Sequence, residues 1–158
     1  MHNFSVPPYV TVALHEVIHA AVVCSLGYSG QAELIKNTNR QGDRGYTHWD
    51  KRAVGSGIID QVTSSISPLL WEFLTGGMNY RDSSGDFKLI ADRLDPFCMA
   101  DRAIILKTAI STALDFLVDG EFEYSFLNRI TAQLLKTSTI PWKGWRPYQF
   151  QIQRHGEC

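Results

Sequence analysis

The chain has 158 residues, 44% of them hydrophobic, which is enough for one domain with a real core and too few for two comfortable ones. Fifteen Lys and Arg against sixteen Asp and Glu leave a formal charge of −1, so no global field recommends nucleic acid or an anionic membrane as a partner. Cys24, Cys98 and Cys158 are odd in number, widely spaced and without a C-x-x-C pair, which argues against a disulfide framework and a cysteine zinc site and fits a reducing compartment.

Met1 to Pro8 has neither the basic start nor the separate apolar core of a signal peptide. No run reaches the roughly eighteen apolar residues that a membrane span requires, and the protein is expected to be soluble and cytoplasmic. Pro7-Pro8 holds the approach extended or sets a first helical turn, a helix spans about Tyr9 to Leu26, and Gly27 stands where a glycine should end it. Gln31 to Lys36 reads as a short strand, Asn37 to Gly45 as a turn-rich loop, and Tyr46 to Trp49 as a second strand. Ile58, Ile59, Val62, Ile66, Leu69, Leu70, Phe73 and Leu74 recur at helical spacing. Pro68 is expected to kink or restart that helix, and Gly76-Gly77 follows it.

Asn79 to Gly85 is polar and turn-like, with Ser83 or Ser84 as candidate caps for a helix that carries Asp86 in its first turn and stops before Pro96. Two further helices follow from Met99, one ending at Gly120 and one spanning about Phe122 to Leu135, with Phe126, Leu127, Ile130, Leu134 and Leu135 toward the core. The fold expected is mainly α with a small β-sheet, in a single domain over residues 1–158. Its metal-site half covers about 9–95, its helical carboxyl-terminal half about 99–140, and its tail 141–158. That tail opens with Pro141 to Phe150, which interleaves aromatic and basic residues. It is expected to pack on its own domain or a neighbouring subunit rather than on nucleic acid or membrane.

Within the first helix stands His15-Glu16-Val17-Ile18-His19. Residues four apart on a helix differ by about 40° in azimuth and about 6 Å in height, so both imidazoles project from one face and can share a metal ion. Glu16 lies at the edge of that face, where it reaches a metal-bound water more easily than the metal, the placement of a general base. The surrounding residues are apolar nearly all round, as in a core helix. Burying two histidines and a carboxylate there is costly unless they are paired or bind metal, and zinc is the expected ion.

A catalytic zinc takes three protein ligands and an open position. Glu72, Asp82 and Asp86 are candidates for the third, and spacing alone does not choose among them. His48 sits in a strand beside Trp49, while His2 and His155 lie near the termini, which makes all three weaker candidates.

Three blocks resemble the zinc-containing peptidase domain of the FtsH-type AAA proteases. Ala13-Leu14-His15-Glu16-Val17-Ile18-His19-Ala20 is similar to that family's metal helix, and Gly45-Tyr46-Thr47 to its Gly-Tyr-Thr segment. Trp71-Glu72-Phe73-Leu74, then Gly85-Asp86-Phe87, resemble its Ala-Glu-Glu-Leu and Asn-Asp-Leu blocks. The resemblance implies an FtsH-peptidase-like metalloprotease fold, with Asp86 as third zinc ligand and Glu72 not a ligand. It also implies a substrate strand added along Gly45, Tyr46 and Thr47, and a homo-oligomer, as a hexameric ring. Val17 and Ile18 replace the family's small residues and add bulk beside the helix. No G-x-x-x-x-G-K-[ST] phosphate loop occurs in the sequence.

The function expected is therefore an ATP-independent zinc metalloendopeptidase acting on unfolded or flexible polypeptides, with Glu16 as base. A peptidase-like binding or adaptor module without turnover is the alternative, and a structural zinc protein would need a fourth ligand that the sequence does not evidently supply.

Overall fold

The computed structural model describes residues 8–35, 44–49, 57–76, 80–118 and 124–141. Five helices and three short strands run in the order α1 (Pro8–Ser25), β1 (Gly30–Ile35), β2 (Arg44–Trp49), α2 (Ile58–Thr75), α3 (Tyr80–Leu94), α4 (Met99–Val118), α5 (Tyr124–Thr137) and β3 (Thr139–Pro141). The architecture is mainly helical with a small antiparallel sheet, and among the described residues no helix is long and apolar enough to cross a membrane.

Helix α1 is the centre of the main core because its apolar residues leave no face for water. Ala13, Val17, Ala20, Ala21, Val22 and Val23 are fully buried, and Ile18 nearly so. Helices α2 and α5 and strands β1 and β2 pack around it. The helix stops where the sequence lets the chain turn left-handed: Gly27 has φ +93°, its N–H donates to Cys24 O, and the Tyr28 N–H donates to Val23 O. These two bonds close the terminal carbonyls in a Schellman arrangement.

Strand β1 alternates as a half-buried strand should, with Ala32 and Leu34 buried between exposed or half-buried neighbours. It pairs antiparallel with β2, Ala32 opposite Thr47. It also pairs with β3, Ala32 opposite Ile140, which places β1 in the middle of the order β2-β1-β3. The third strand was not expected from the sequence. It follows α5 directly through Ser138, whose φ of 64° reverses the chain, and the Ser138 carbonyl accepts from Leu34 N–H at 2.7 Å. Three residues are too few to show alternation. Pro141 closes β3, while residues 142–158 of the aromatic tail lie outside the described residues.

Two helix expectations need correction. Of the kink or restart expected at Pro68, the restart does not occur: helix α2 runs through the proline, because the ring is fully buried and packing against α1, α3 and α4 outweighs the lost backbone bond. Helix α3 begins at Tyr80 rather than at Ser83 or Ser84, so Asp86 falls in its second turn. Ser84 and Gly85 are exposed, and Tyr80 to Gly85 carries no apolar period in the sequence to separate it from a loop. Helices α4 and α5 lie where periodicity placed them. Ile105 and Ala109 of α4 join Val62, Ile90 and Leu94 in a second core cluster, whereas Leu127, Ile130 and Leu134 of α5 belong to the first. Helix α2 contributes to both, and the site opens along its length.

Candidate metal centre

Three side chains from two helices meet at one point. His15 and His19 stand one turn apart on α1, and their rings cross nearly at right angles (78°) with centroids 4.8 Å apart. Asp86 reaches them from α3. The His15 Nε2 atom lies 2.8 Å from Asp86 Oδ2, His19 Nε2 lies 3.2 Å from the same oxygen, and the two nitrogens are 3.1 Å apart. Donors at the corners of a tetrahedron around zinc, about 2.0–2.1 Å from the ion, stand roughly 3.3 Å from one another. The observed separations come within about half an ångström of that, and this buried group could hold a metal ion. The donor set is two imidazole nitrogens and one carboxylate oxygen, without sulfur.

Helix α2 aims both rings from behind. Glu72 Oε1 sits 3.2 Å from His15 Nδ1, and the Ser64 carbonyl accepts from His19 Nδ1 at 2.8 Å. Each ring thus turns one nitrogen to a supporting acceptor and the other to the centre, the arrangement that fixes tautomer and orientation in metal-ligating histidines. Glu72 is placed behind His15 and is not one of the three converging groups.

Charge follows from this packing. Burial disfavours a charged His15, but the Asp86 and Glu72 carboxylates hydrogen-bonded to it, with Glu16 nearby, outweigh that and raise its pKa from 6.5 to about 10. Burial likewise works against an ionised Asp86, yet His19 and His15 hold its pKa well below the usual carboxylate range. With no ion bound, the pocket therefore retains a proton where two nitrogens face each other, and it favours a cation.

Glu16 is buried beside the centre and is held by the sheet rather than by α1. Thr47 Oγ1 donates to Glu16 Oε2 at 2.6 Å and lies 3.2 Å from the Glu16 carbonyl. Gly45 leaves no room for more: a β-carbon there would come 2.6 Å from Glu16 Oε1 and 2.7 Å from Cδ. Residues 45 and 47 share one face of β2, as the two-residue period of a strand requires. Tyr46 is exposed and stacks on His48, with ring centroids 6.1 Å apart. His48 pairs with Glu33 at 3.2 Å on that outer face, away from the centre.

A pocket of about 270 Å³ opens over these groups, lined by the three converging residues, Glu16, Gly45, Tyr46 and Thr47, and also by Ser65, Leu89 and Arg93. No family model matches the chain, and neither does any curated protein. The chemistry available to the site rests on its own geometry. The bulk that Val17 and Ile18 add beside the helix lies in the main core, at 0% and 1% exposure, and does not line the pocket. The side chain of Asp82 lies outside the described residues, as do His2 and His155.

Arg93 and Ser65 join the pocket without belonging to any motif of the sequence. Arg93 Nη1 donates to Ser65 Oγ at 2.7 Å and to Gln61 O at 3.0 Å. Burial lowers its pKa, and Asp86 partly restores it. Its spacing of seven from Asp86, two turns along one face of α3, was the available signal.

Proposed function

We propose that this chain is a zinc metalloendopeptidase whose ligands are His15, His19 and Asp86 and whose general base is Glu16. The observation that carries the reading is the convergence of three buried donor atoms beside a separately anchored carboxylate, all facing one open pocket. Three protein ligands with a free position suit catalytic zinc. Two histidines and a carboxylate also suit non-haem iron, but Glu16 favours hydrolysis, which needs a base.

A bound zinc ion would supply Lewis acidity and lower the pKa of a bound water from 15.7 to about 7. Glu16, kept in place by Thr47 and Gly45, accepts the proton as water attacks the peptide carbonyl. It then returns that proton to the departing amine, so one carboxylate serves both halves of the reaction. Among the described strands β2 has β1 as its sole neighbour, and its Gly45–Thr47 segment lines the pocket. An extended polypeptide adding to β2 as a further strand would bring its backbone to the centre.

The sequence resemblance to FtsH-type peptidase domains supports the same chemistry and suggests a homo-oligomer, as a hexameric ring. In the absence of a nucleotide-binding motif in the sequence, substrates are unfolded or flexible chains, since a stable domain opens only by a factor set by some 5–15 kcal/mol. Zinc-loaded protein should cut casein without nucleotide and stop on addition of a chelator. A metal-loaded protein that leaves casein intact would contradict the reading.

A further inference from the structure

The carbonyl that supports His19 is available because of a proline. In a helix the oxygen of residue 64 accepts the N–H of residue 68. Here residue 68 is proline, which has no N–H to give and strongly disfavours a helix interior. Helix α2 nevertheless runs through Pro68, and the buried Ser64 oxygen instead accepts from His19 Nδ1 at 2.8 Å. The nearby hydroxyl does not compete, since Ser67 Oγ donates to Thr63 O.

We propose that Pro68 is a positioning residue for His19. By withholding the helical N–H, it leaves the Ser64 carbonyl to the His19 ring. A carbonyl oxygen can only accept, so the nitrogen facing it must carry the proton. That fixes the neutral ring as the Nδ1–H tautomer, with the Nε2 lone pair directed toward Asp86 and the centre. Any other natural residue at 68 would restore an N–H, draw the oxygen toward the helix axis and share its lone pairs. The inference rests on the reading of His19 as a metal ligand.

The decisive comparison places alanine and lactic acid at position 68 of the full chain. Both remove the buried ring and leave the same space, but only alanine brings an N–H, because lactic acid forms an ester. Loss of such a supporting partner costs 10- to 100-fold in metal affinity. Pro68→Ala should bind zinc about tenfold more weakly than the ester, the low end because a carbonyl oxygen has a second lone pair. Affinity is read by competition with a chromogenic chelator. Equal affinities would overturn the proposal while leaving the metal centre intact, whereas a wild-type protein that binds no zinc would sink the metal reading instead. Imidazole ¹⁵N shifts of metal-free wild-type protein decide the matter independently of any variant. A neutral His19 ring should show the Nδ1–H tautomer, and an Nε2–H ring would overturn the proposal.

Discussion

Gly45 offers a sharp separation of the base from the metal. A β-carbon at this position would stand 2.6 Å from Glu16 Oε1, where ordinary contact begins near 3.4 Å. The carboxylate in Gly45→Ala must therefore retreat by about 1 Å, and a misplacement of that size costs on the order of a hundredfold in rate. Gly45 does not have the positive φ found at Gly27 and Gly76, so the backbone tolerates alanine. The three converging donors lie on α1 and α3, and none of them is among the atoms nearest to such a β-carbon, which all belong to Glu16. Peptide cleavage, zinc content and thermal midpoint should be measured on one preparation. The expected result is a kcat about a hundredfold lower with one zinc per chain in a protein that remains folded at the assay temperature. Wild-type kcat in a fully loaded Gly45→Ala protein would refute the positioning of Glu16 by β2.

Asp86→Ala should abolish zinc retention in elemental analysis, whereas Glu72→Ala should weaken it about 10- to 100-fold through the His15 ring; the reverse order would make Glu72 the ligand. In the metal-free protein the raised His15 pKa gives stability that is full below about pH 6.5 and lost as pH climbs toward about 10, so urea midpoints should fall across that window and a flat profile would contradict it. Asp86 works oppositely: its depressed pKa stabilises the fold above the ordinary 3.8 and fails on further acidification. Zinc must displace the His15 proton, so apparent affinity, measured by chelator competition, should rise about tenfold per pH unit from 6.5 toward 10. Ile18→Ala, at 1% exposure in the core of α1, should cost roughly 2–5 kcal/mol in chemical denaturation.

His15, Glu16 and His19 were legible because helical spacing alone puts them on adjoining positions, and the apolar run around them already described a buried helix. Asp86 was different. Spacing left Glu72, Asp82 and Asp86 open, since the choice depends on how α3 lies against α1 and α2, a tertiary matter that no local pattern encodes. The family resemblance pointed to Asp86, and the structure brings that carboxylate to the two imidazoles. Thr47 and Gly45 read as a strand start and a substrate edge; their contact with Glu16 depends on the face β2 turns toward α1. Pro68 was visible as an interruption, yet its consequence lies on another helix, at His19. Strand β3 is not legible because three residues carry too little pattern, although Ile140 opposite Ala32 ties the end of α5 to the sheet.

Glu16→Gln tests the central claim most directly, because glutamine keeps the shape of the side chain and removes its capacity to take a proton. Zinc content and casein cleavage should be measured together on wild-type and Glu16→Gln protein without nucleotide. One zinc per chain in both, with cleavage reduced by roughly a hundred- to ten-thousandfold in the variant, is the expected result. Equal cleavage by a zinc-loaded Glu16→Gln protein would contradict the account.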